Sequence, residues 1–151
     1  MKKTLKLLAG ALLVGVVSLT SCQKYPDGGL KGKAEKRILG TWQLSSYLRN
    51  GADETSTLLI SDYQETYSED GVFSRAYTEE AGDAFSETGT YAFTDEKNLD
   101  IGGVSSIQDF SPEHSSLSSS TFTITLLKND EYVYTYNNGG DDHVFSFTKV
   151  E

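Results

Sequence analysis

The feature that most constrains the fold is a strict alternation of apolar and polar side chains, which recurs from Gly40 to the end of the chain. It is clearest from Tyr132 to Tyr136 and from Phe145 to Phe147, where an aromatic ring occupies every second position. Successive side chains of a strand point to opposite faces of a sheet, so a period of two residues indicates strands with one buried face. No stretch of this region carries the longer apolar period of an amphipathic helix. The pattern predicts an all-β domain.

Tight turns join these strands in sequence order. Glu69-Asp70-Gly71 is typical of a three-residue hairpin loop, because glycine adopts a positive φ without a Cβ clash. Gly139-Gly140 is typical of a two-residue loop, and a further strand is predicted over Gly89 to Thr94. A meander of this length removes its exposed edges by closing on itself. We therefore expect an antiparallel up-and-down barrel of about eight strands, whose lumen is filled by side chains or by one small ligand.

The turn geometry also predicts which side chains face each other. In the two hairpins the expected pairs are Tyr67 with Phe73, Glu65 with Arg75, Tyr63 with Tyr77, Tyr136 with His143, Tyr134 with Phe145, and Tyr132 with Phe147. In the first strand, strict alternation predicts Trp42, Leu44 and Leu48 on one face.

The expected pair of Glu65 and Arg75 has two interpretations. If its face of the sheet points inward, the pair is a polar handle of the lumen, and an acidic ligand could compete with Glu65 for two parallel hydrogen bonds from Arg75. If the face points outward, the pair is a surface ladder worth under about 1 kcal/mol. The desolvation cost of a buried charge pair favours the outward orientation. We expect contact between the two side chains in either case.

The first 21 residues are typical of a secretory signal rather than of a folded segment. Lys2, Lys3 and Lys6 precede an apolar run, Leu7 to Val17, which at 11 residues is too short to span a membrane as a helix. The run leads into Leu19-Thr20-Ser21-Cys22, which resembles the lipobox of bacterial lipoproteins. The resemblance implies that residues 1–21 are removed and that the cysteine carries acyl chains such as palmitate.

A lipidated Cys22 would anchor the exported protein to a membrane, since each buried acyl CH₂ contributes roughly 0.8 kcal/mol. Gln23 follows it where the inner-membrane retention rule of enterobacteria requires Asp. We therefore expect the protein in the outer membrane of the cell envelope, on the periplasmic face or at the cell surface. Residues 22–37 have the glycine-rich and lysine-rich composition of a flexible tether.

The exported chain is strongly acidic. Without residues 1–21 it has 10 basic and 22 acidic residues, a formal net charge of −12. Nucleic acids are bound by clustered Lys and Arg, so this charge argues against a nucleic-acid partner. The remaining length suits one domain, residues 38–151, which we expect to be a monomer.

Residues with catalytic or metal-binding chemistry are scarce in the sequence. Cys22 is the only cysteine, which excludes an internal disulfide and, once it is lipidated, a thiol nucleophile. The two histidines, His114 and His143, lie in different segments, and no Gly-x-Ser-x-Gly motif is present. We therefore predict no enzyme activity, no cofactor and no metal site.

Residues 38–151 are similar to the small lipocalin-like domains of Bacteroidota lipoproteins. Gly40-Thr41-Trp42 resembles the Gly-x-Trp motif that opens the first lipocalin strand. Further matches are Asp70-Gly71-Val72-Phe73, Gly89-Thr90-Tyr91 and a terminal Phe-x-Phe-x-Lys.

The resemblance implies a calycin-type barrel in which Gly40 and Trp42 are structural residues. We expect Trp42 to be buried near the closed end of the barrel, where a helical turn at residues 34–39 covers it. The late arginine that covers the tryptophan in animal lipocalins has no counterpart, because every arginine of this chain precedes residue 76. The resemblance implies a barrel and no particular ligand.

Aromatic rings supply apolar area, and tyrosine hydroxyls supply oriented polar contacts for a small apolar or amphipathic ligand. The ligand-binding candidates are Tyr63, Glu65, Tyr67, Phe73, Arg75, Tyr77, Tyr91, Phe93, Tyr132 and Tyr134. The same rings could instead form a filled core with outward ladders. The sequence thus supports two functions: non-catalytic binding of such a molecule, or an envelope interaction module that binds a protein or glycan through its outer surface or loops. A lumen closed by Trp42, Phe122 and Phe145 would favour the module.

The lipid anchor gives the first prediction. Replacing Cys22 by Ala removes the sulfur that carries the lipid, so we expect the variant to keep its signal and to lose all labelling by a fatty-acid analogue in cells. Ser21→Ala, which keeps a small residue before the cysteine, is the matched control and should still be labelled. Labelled lipid on the Cys22→Ala protein would contradict the assignment.

Overall fold

The computed structural model describes residues 31–108, 110, 116–117 and 121–150. Its elements are α1 (Lys31–Ile38), β1 (Gly40–Arg49), β2 (Ala52–Asp53), a short 3-10 helix (Thr55–Thr57), β3 (Ile60–Tyr67), β4 (Val72–Glu79), β5 (Ala84–Phe93), β6 (Asn98–Gly102), β7 (Ile107–Gln108), β8 (Ser116–Leu117), β9 (Thr121–Leu127), β10 (Glu131–Asn138) and β11 (Asp141–Val150). None of the helices in these ranges is long and apolar enough to cross a membrane.

Eight of the strands form a closed antiparallel barrel. They follow one another around it in the order β1, β3, β4, β5, β6, β9, β10, β11, and the pairing of β11 with β1 closes it. The predicted all-β, up-and-down barrel is confirmed. Because the strands alternate in direction, the loops lie at two ends. We call the end that α1 precedes the closed end, and the end where β1, β4, β6 and β10 finish the mouth.

The predicted hairpin registers are confirmed with one exception. Glu65 lies opposite Arg75 and Tyr67 opposite Phe73, and the β10–β11 hairpin pairs Tyr136 with His143, Tyr134 with Phe145 and Tyr132 with Phe147. The exception is Tyr63, because the β3–β4 register shifts between Ser61 and Gln64. Asp62 adopts a φ of 54° at this irregularity. The rings of Tyr63 and Tyr77 still stack, with centroids 6.2 Å apart.

The face that carries Glu65 and Arg75 points into the barrel, so the expected outward orientation is wrong. Glu65 is 1% exposed and Arg75 is 4% exposed. The desolvation argument fails here because each charged group meets polar partners inside the barrel, as described below.

The first strand departs from strict alternation. Trp42 and Tyr47 are both buried, although five positions separate them and alternation would place them on opposite faces. A bulge between Leu44 and Ser46 in the pairing with β11 accounts for this, because one extra residue inverts the alternation beyond it. Leu48, predicted on the face of Trp42, is therefore turned away from it.

Helix α1 covers the closed end, as predicted for the segment before the first strand. Ala34 and Ile38 of the helix are fully buried, and so is Trp42, whose Nε1 donates to the Ile38 carbonyl at 2.6 Å. The helix begins at Lys31, earlier than the single turn expected at residues 34–39. The helix overlaps residues 31–37 of the segment assigned to the tether, and Ala34 of this overlap packs in the core.

A lysine covers Trp42 in this chain, which has no arginine after residue 75 that could do so. The Lys149 ammonium lies 5.0 Å from the centroid of the Trp42 ring, a cation–π geometry, and donates to the Leu39 carbonyl at 2.6 Å. Gly40 makes this possible: its φ is +112°, and a Cβ there would lie 2.8 Å from Cε of Lys149. The glycine, the tryptophan and the terminal lysine therefore form one structural unit.

The buried Trp42 gives the second prediction. Trp42→Ala should lower the free energy of unfolding by about 3–5 kcal/mol, since it leaves a cavity and removes the support of α1. Urea denaturation of the exported protein measures this. Leu48→Ala, a change at a half-buried position of the same strand, is the matched control and should cost clearly less. A loss below about 1 kcal/mol for Trp42→Ala would contradict a core role.

Candidate functional site

A carboxylate surrounded by tyrosines lies at the centre of the barrel. The hydroxyls of three tyrosines donate to Glu65. Those of Tyr63 and Tyr134 each lie 2.9 Å from Oε1, and that of Tyr67 lies 2.6 Å from Oε2. The tyrosines come from β3 and β10, which β1 and β11 separate around the barrel. We call these four residues the Glu65 cluster. One side chain of β3 thus bridges these two strands through hydrogen bonds.

The environment of the Glu65 cluster disfavours charge. Burial raises the pKa of the Glu65 carboxyl, and the three hydroxyl donors and the charge of Arg75 offset only part of this effect. The pKa values of the Tyr63, Tyr67 and Tyr134 hydroxyls are raised well above their usual range. Burial is the largest cause, and the charge of the Glu65 carboxylate is the second. The tyrosines are therefore neutral donors at physiological pH.

Arg75 makes its ion pair with Glu87, and not with Glu65 as the sequence predicted. Its Nε donates to Glu87 Oε1 at 2.6 Å, and its Nη2 contacts Glu87 and donates to the Ser105 carbonyl. Glu87 lies directly opposite Arg75 on β5, and its side chain also faces inward. The guanidinium pairs with Glu87 on β5 and also interacts with Tyr63, so that it acts on Glu65 only as a nearby charge.

Glu87 also binds Ser105, through its second carboxylate oxygen. Its Oε2 accepts from the Ser105 amide at 2.9 Å and from the Ser105 hydroxyl at 2.8 Å. Although partial burial alone would raise it, the pKa of Glu87 is held below its usual range by the Ser105 donors and by Arg75. The ion pair therefore fixes the start of the segment that follows β6.

This segment, residues 103–108 and Phe110, enters the mouth of the barrel, and we call it the mouth plug. Ile107 and Phe110 are buried, and the Phe110 ring meets Tyr47 edge-on at 5.0 Å. The plug crosses the wall at Gly89, where a Cβ would lie 2.2 Å from the Gly102 carbonyl oxygen and 2.8 Å from Cγ1 of Val104. A residue without a side chain is required at this crossing.

A histidine and a tyrosine lie beneath the plug. Nδ1 of His143 is 2.8 Å from the Tyr47 hydroxyl, and its ring stacks on Tyr136 at 4.9 Å. His143 is fully buried among these rings, and His114 lies outside the described residues. Within the described ranges, no three His, Cys, Asp or Glu side chains are grouped so that they could hold a metal ion.

An open cleft of about 380 Å³ lies at the mouth, between the β4–β5 hairpin and the plug. Its described lining is Leu59, Ile60, Tyr77, Glu79, Glu80, Ala81, Phe85, Ser105 and Ser106. The rings of Tyr77 and Phe85 stack at 4.9 Å with an interplanar angle of 30°, and form its aromatic wall. We call this the mouth cleft. Its volume is within the range of small-molecule sites.

A second, wider groove of about 730 Å³ lies at the closed end. It is bordered by α1, the β3–β4 turn and the end of β5, and Tyr91 and Phe93 line it. The Tyr91 hydroxyl donates to the Ser68 carbonyl at 2.7 Å, and its ring meets Tyr67 edge-on at 5.1 Å. Three acidic residues and one lysine make up the charged part of its described lining.

The structure divides the predicted ligand-binding candidates among four places. Tyr63, Glu65, Tyr67 and Tyr134 form the Glu65 cluster, with Phe73 and Tyr132 packed against Tyr67. Tyr91 and Phe93 lie at the closed end, Tyr77 lines the mouth cleft, and Arg75 lies behind Ser105. The assignment of these residues to a ligand stays a prediction.

Sequence reasoning missed Glu87, Ser105 and Phe85. The signal for the first and last was present, because Phe85, Glu87, Gly89 and Tyr91 continue one alternating face. The predicted strand begins at Gly89, which leaves Glu87 in a loop, whereas β5 begins at Ala84. For Ser105 no local signal exists, since its role depends on where the plug folds.

The Glu65 cluster gives the third prediction, on pH. A carboxyl whose pKa is raised by folding adds stability below its unfolded pKa of about 4.3, and this stability is lost as the pH rises through the folded-state pKa. Gln does not titrate. The free energy of unfolding of Glu65→Gln minus that of the unaltered protein should therefore increase as the pH rises from about 4 to about 7.

Urea unfolding of both proteins across this pH range provides the measurement. Glu96→Gln, which removes an exposed carboxylate at the turn between β5 and β6, controls for the loss of one negative charge. A difference for Glu65→Gln that stays constant with pH, or follows that of the control, would refute the raised pKa.

Comparison with known proteins agrees with this architecture. The family model described as the lipocalin-like domain matches residues 38–125, more than half of the chain. A lipocalin-like protein from Bacteroides uniformis ATCC 8492 has a similar structure, with a TM-score of 0.52 and 18% identity over 76% of this chain and 99% of that one. A protein from Bacteroides eggerthii DSM 20697 has a TM-score of 0.52 and 17% identity over 75% of this chain and 99% of its own. No curated protein matches in sequence. The chain belongs to the lipocalin-like domain family.

Proposed function

We propose that this protein is a non-catalytic, lipid-anchored envelope protein that binds a small amphipathic molecule at the mouth of its barrel. The observation that carries the proposal is the mouth cleft, which combines an exposed opening with the stacked rings of Tyr77 and Phe85. A concave apolar surface with a few polar groups at its rim is the usual form of a small-molecule site.

The packing of the interior argues for the mouth over the lumen. Tyr132 and Tyr134 lie 5.4 Å apart, and each is also within 5.4 Å of Phe147. Hydroxyl groups in this layer already have partners in the Glu65 cluster. A ligand in the lumen would have to displace rings and break these hydrogen bonds, whereas a ligand in the cleft displaces only water.

The anchor and the fold together give the site an orientation in this proposal. Cys22 precedes α1 by nine residues, which span at most about 32 Å when fully extended. Helix α1 covers the closed end, so lipid on Cys22 would hold that end toward the outer membrane. The mouth cleft, at the other end of the strands, would then face away from the bilayer and be open to water-soluble molecules.

The packed interior also favours a second candidate, an envelope interaction module that binds a protein or glycan through its outer surface or loops. Trp42, Phe122 and Phe145 are all buried, which is the arrangement expected of a filled barrel. In this alternative the Glu65 cluster and the mouth plug are structural. A small molecule retained at the mouth distinguishes the two candidates.

Native mass spectrometry of the protein released from membranes in mild detergent gives the fourth prediction. We expect a small molecule retained on the unaltered protein, and an occupancy lower by about tenfold in Phe85→Ala, which removes half of the aromatic wall. Tyr91→Ala is the matched control, because this half-buried ring lies on the same face of β5 at the closed end. Equal occupancy in both variants would place the ligand elsewhere, and no retained molecule would favour the interaction module.

A further inference from the structure

The mouth cleft carries charge of one sign. Glu79 and Glu80 stand at its rim, and its described lining contains no basic side chain. Both glutamates are exposed, and no ion pair of the described residues engages them. The aromatic wall of Tyr77 and Phe85 lies next to this rim. The cleft therefore combines a flat apolar surface with two carboxylates.

Arg75 forms no ion pair with these rim carboxylates among the described residues. Arg75 is 4% exposed, and its guanidinium donates hydrogen bonds to Glu87 and to the Ser105 carbonyl. Ser105 itself lines the cleft but directs its amide and hydroxyl toward Glu87. The donors of Arg75 and Ser105 are thus used within the protein, while no ion pair of the described residues engages the rim carboxylates.

The hydroxyl of Tyr77, in the aromatic wall, is close to Glu79. Burial is the main reason that its pKa is raised; the charge of Arg75 lowers the pKa, and the charges of Glu79 and Glu87 raise it.

We propose that the mouth cleft binds an organic cation, a protonated amine on a compact aromatic or aliphatic body. This inference rests on the proposed function and specifies the class of ligand. The apolar body would lie against Tyr77 and Phe85, and the ammonium group would lie between these ring faces and the carboxylates of Glu79 and Glu80. An anion of the same shape would be repelled by the rim. A neutral analogue would gain only the apolar contact.

The size of the cleft restricts the body of the ligand. A volume of about 380 Å³ lies near the lower end of the range of volumes of small-molecule sites. It suits one fused ring system or a short branched chain rather than a long acyl chain. Tryptamine, tryptophol and indole-3-acetate are a matched set of probes, since they share an indole ring on a two-carbon arm and differ in charge at its end.

The test measures the affinity of these three probes for the lipidated protein in mild detergent by ligand-observed NMR. We expect tryptamine to bind at least about fivefold more tightly than tryptophol at low salt, and indole-3-acetate to bind most weakly. Raising the salt from about 0.01 M to about 1 M shortens the Debye length from about 30 Å to about 3 Å and should reduce the preference for the amine.

The double variant Glu79→Gln/Glu80→Gln should abolish the preference for tryptamine and leave the affinity for tryptophol unchanged. Glu69→Gln/Asp70→Asn, which removes two adjacent exposed acids from the β3–β4 turn at the closed end, is the matched control and should keep the preference. Partition of the probes into detergent is the same for all three proteins and cancels in these comparisons.

The outcomes separate the two proposals. Binding of all three probes with equal affinity, or strongest binding of indole-3-acetate, overturns the inference of a cationic ligand and leaves small-molecule binding at the mouth in place. Loss of the tryptamine preference in the closed-end control as well shows that only net charge matters, which also overturns it. If no probe binds and Phe85→Ala changes nothing, the mouth cleft is not a binding site and both proposals fail.

Discussion

The rest of this structure depends on closure of the barrel through the pairing of β1 with β11. Closure leaves no free edge among the eight strands, and it gives all inward side chains one interior of limited volume. Aromatic rings fill most of that volume, so the local departures from regular geometry serve to fit them. The bulge after Leu44 turns Tyr47 inward, and Gly89 leaves room for the mouth plug to cross the wall. Each irregularity solves a packing problem that closure creates.

A closed barrel filled with tyrosines also has to accommodate their hydroxyl groups. A buried hydroxyl without a partner is costly, so the interior needs an acceptor where the hydroxyls converge. Glu65 supplies that acceptor, and because three donors and the nearby charge of Arg75 stabilise it, a carboxyl can remain inside. The Arg75–Glu87 pair has a different use, since it fastens the plug through Ser105. The buried carboxylate of Glu65 is thus needed because the core is packed with tyrosine rings, whose hydroxyls require an acceptor.

The fold could be predicted from the sequence because its signals are local. Alternation indicates strands, and loop length sets the register that places Glu65 opposite Arg75. Whether that face points inward or outward could not be predicted. The cost of burying the Glu65 carboxylate depends on whether it has hydrogen-bond donors inside the barrel, and these are the hydroxyls of Tyr63, Tyr67 and Tyr134. These come together only when distant strands meet across the barrel. The mouth cleft was missed for the same reason, because it lies between a hairpin and a segment with no regular pattern.

One acceptor that serves three donors has a consequence for how such a protein can change over generations. Loss of a single tyrosine hydroxyl leaves the Glu65 carboxyl with two donors, and a phenylalanine in its place keeps the ring packing. Loss of the carboxyl first would leave three hydroxyls without their acceptor in one step. The order of substitution therefore matters: a lineage can shed its tyrosines one at a time and lose the glutamate last. Relatives that lack the glutamate should already carry fewer tyrosines around it.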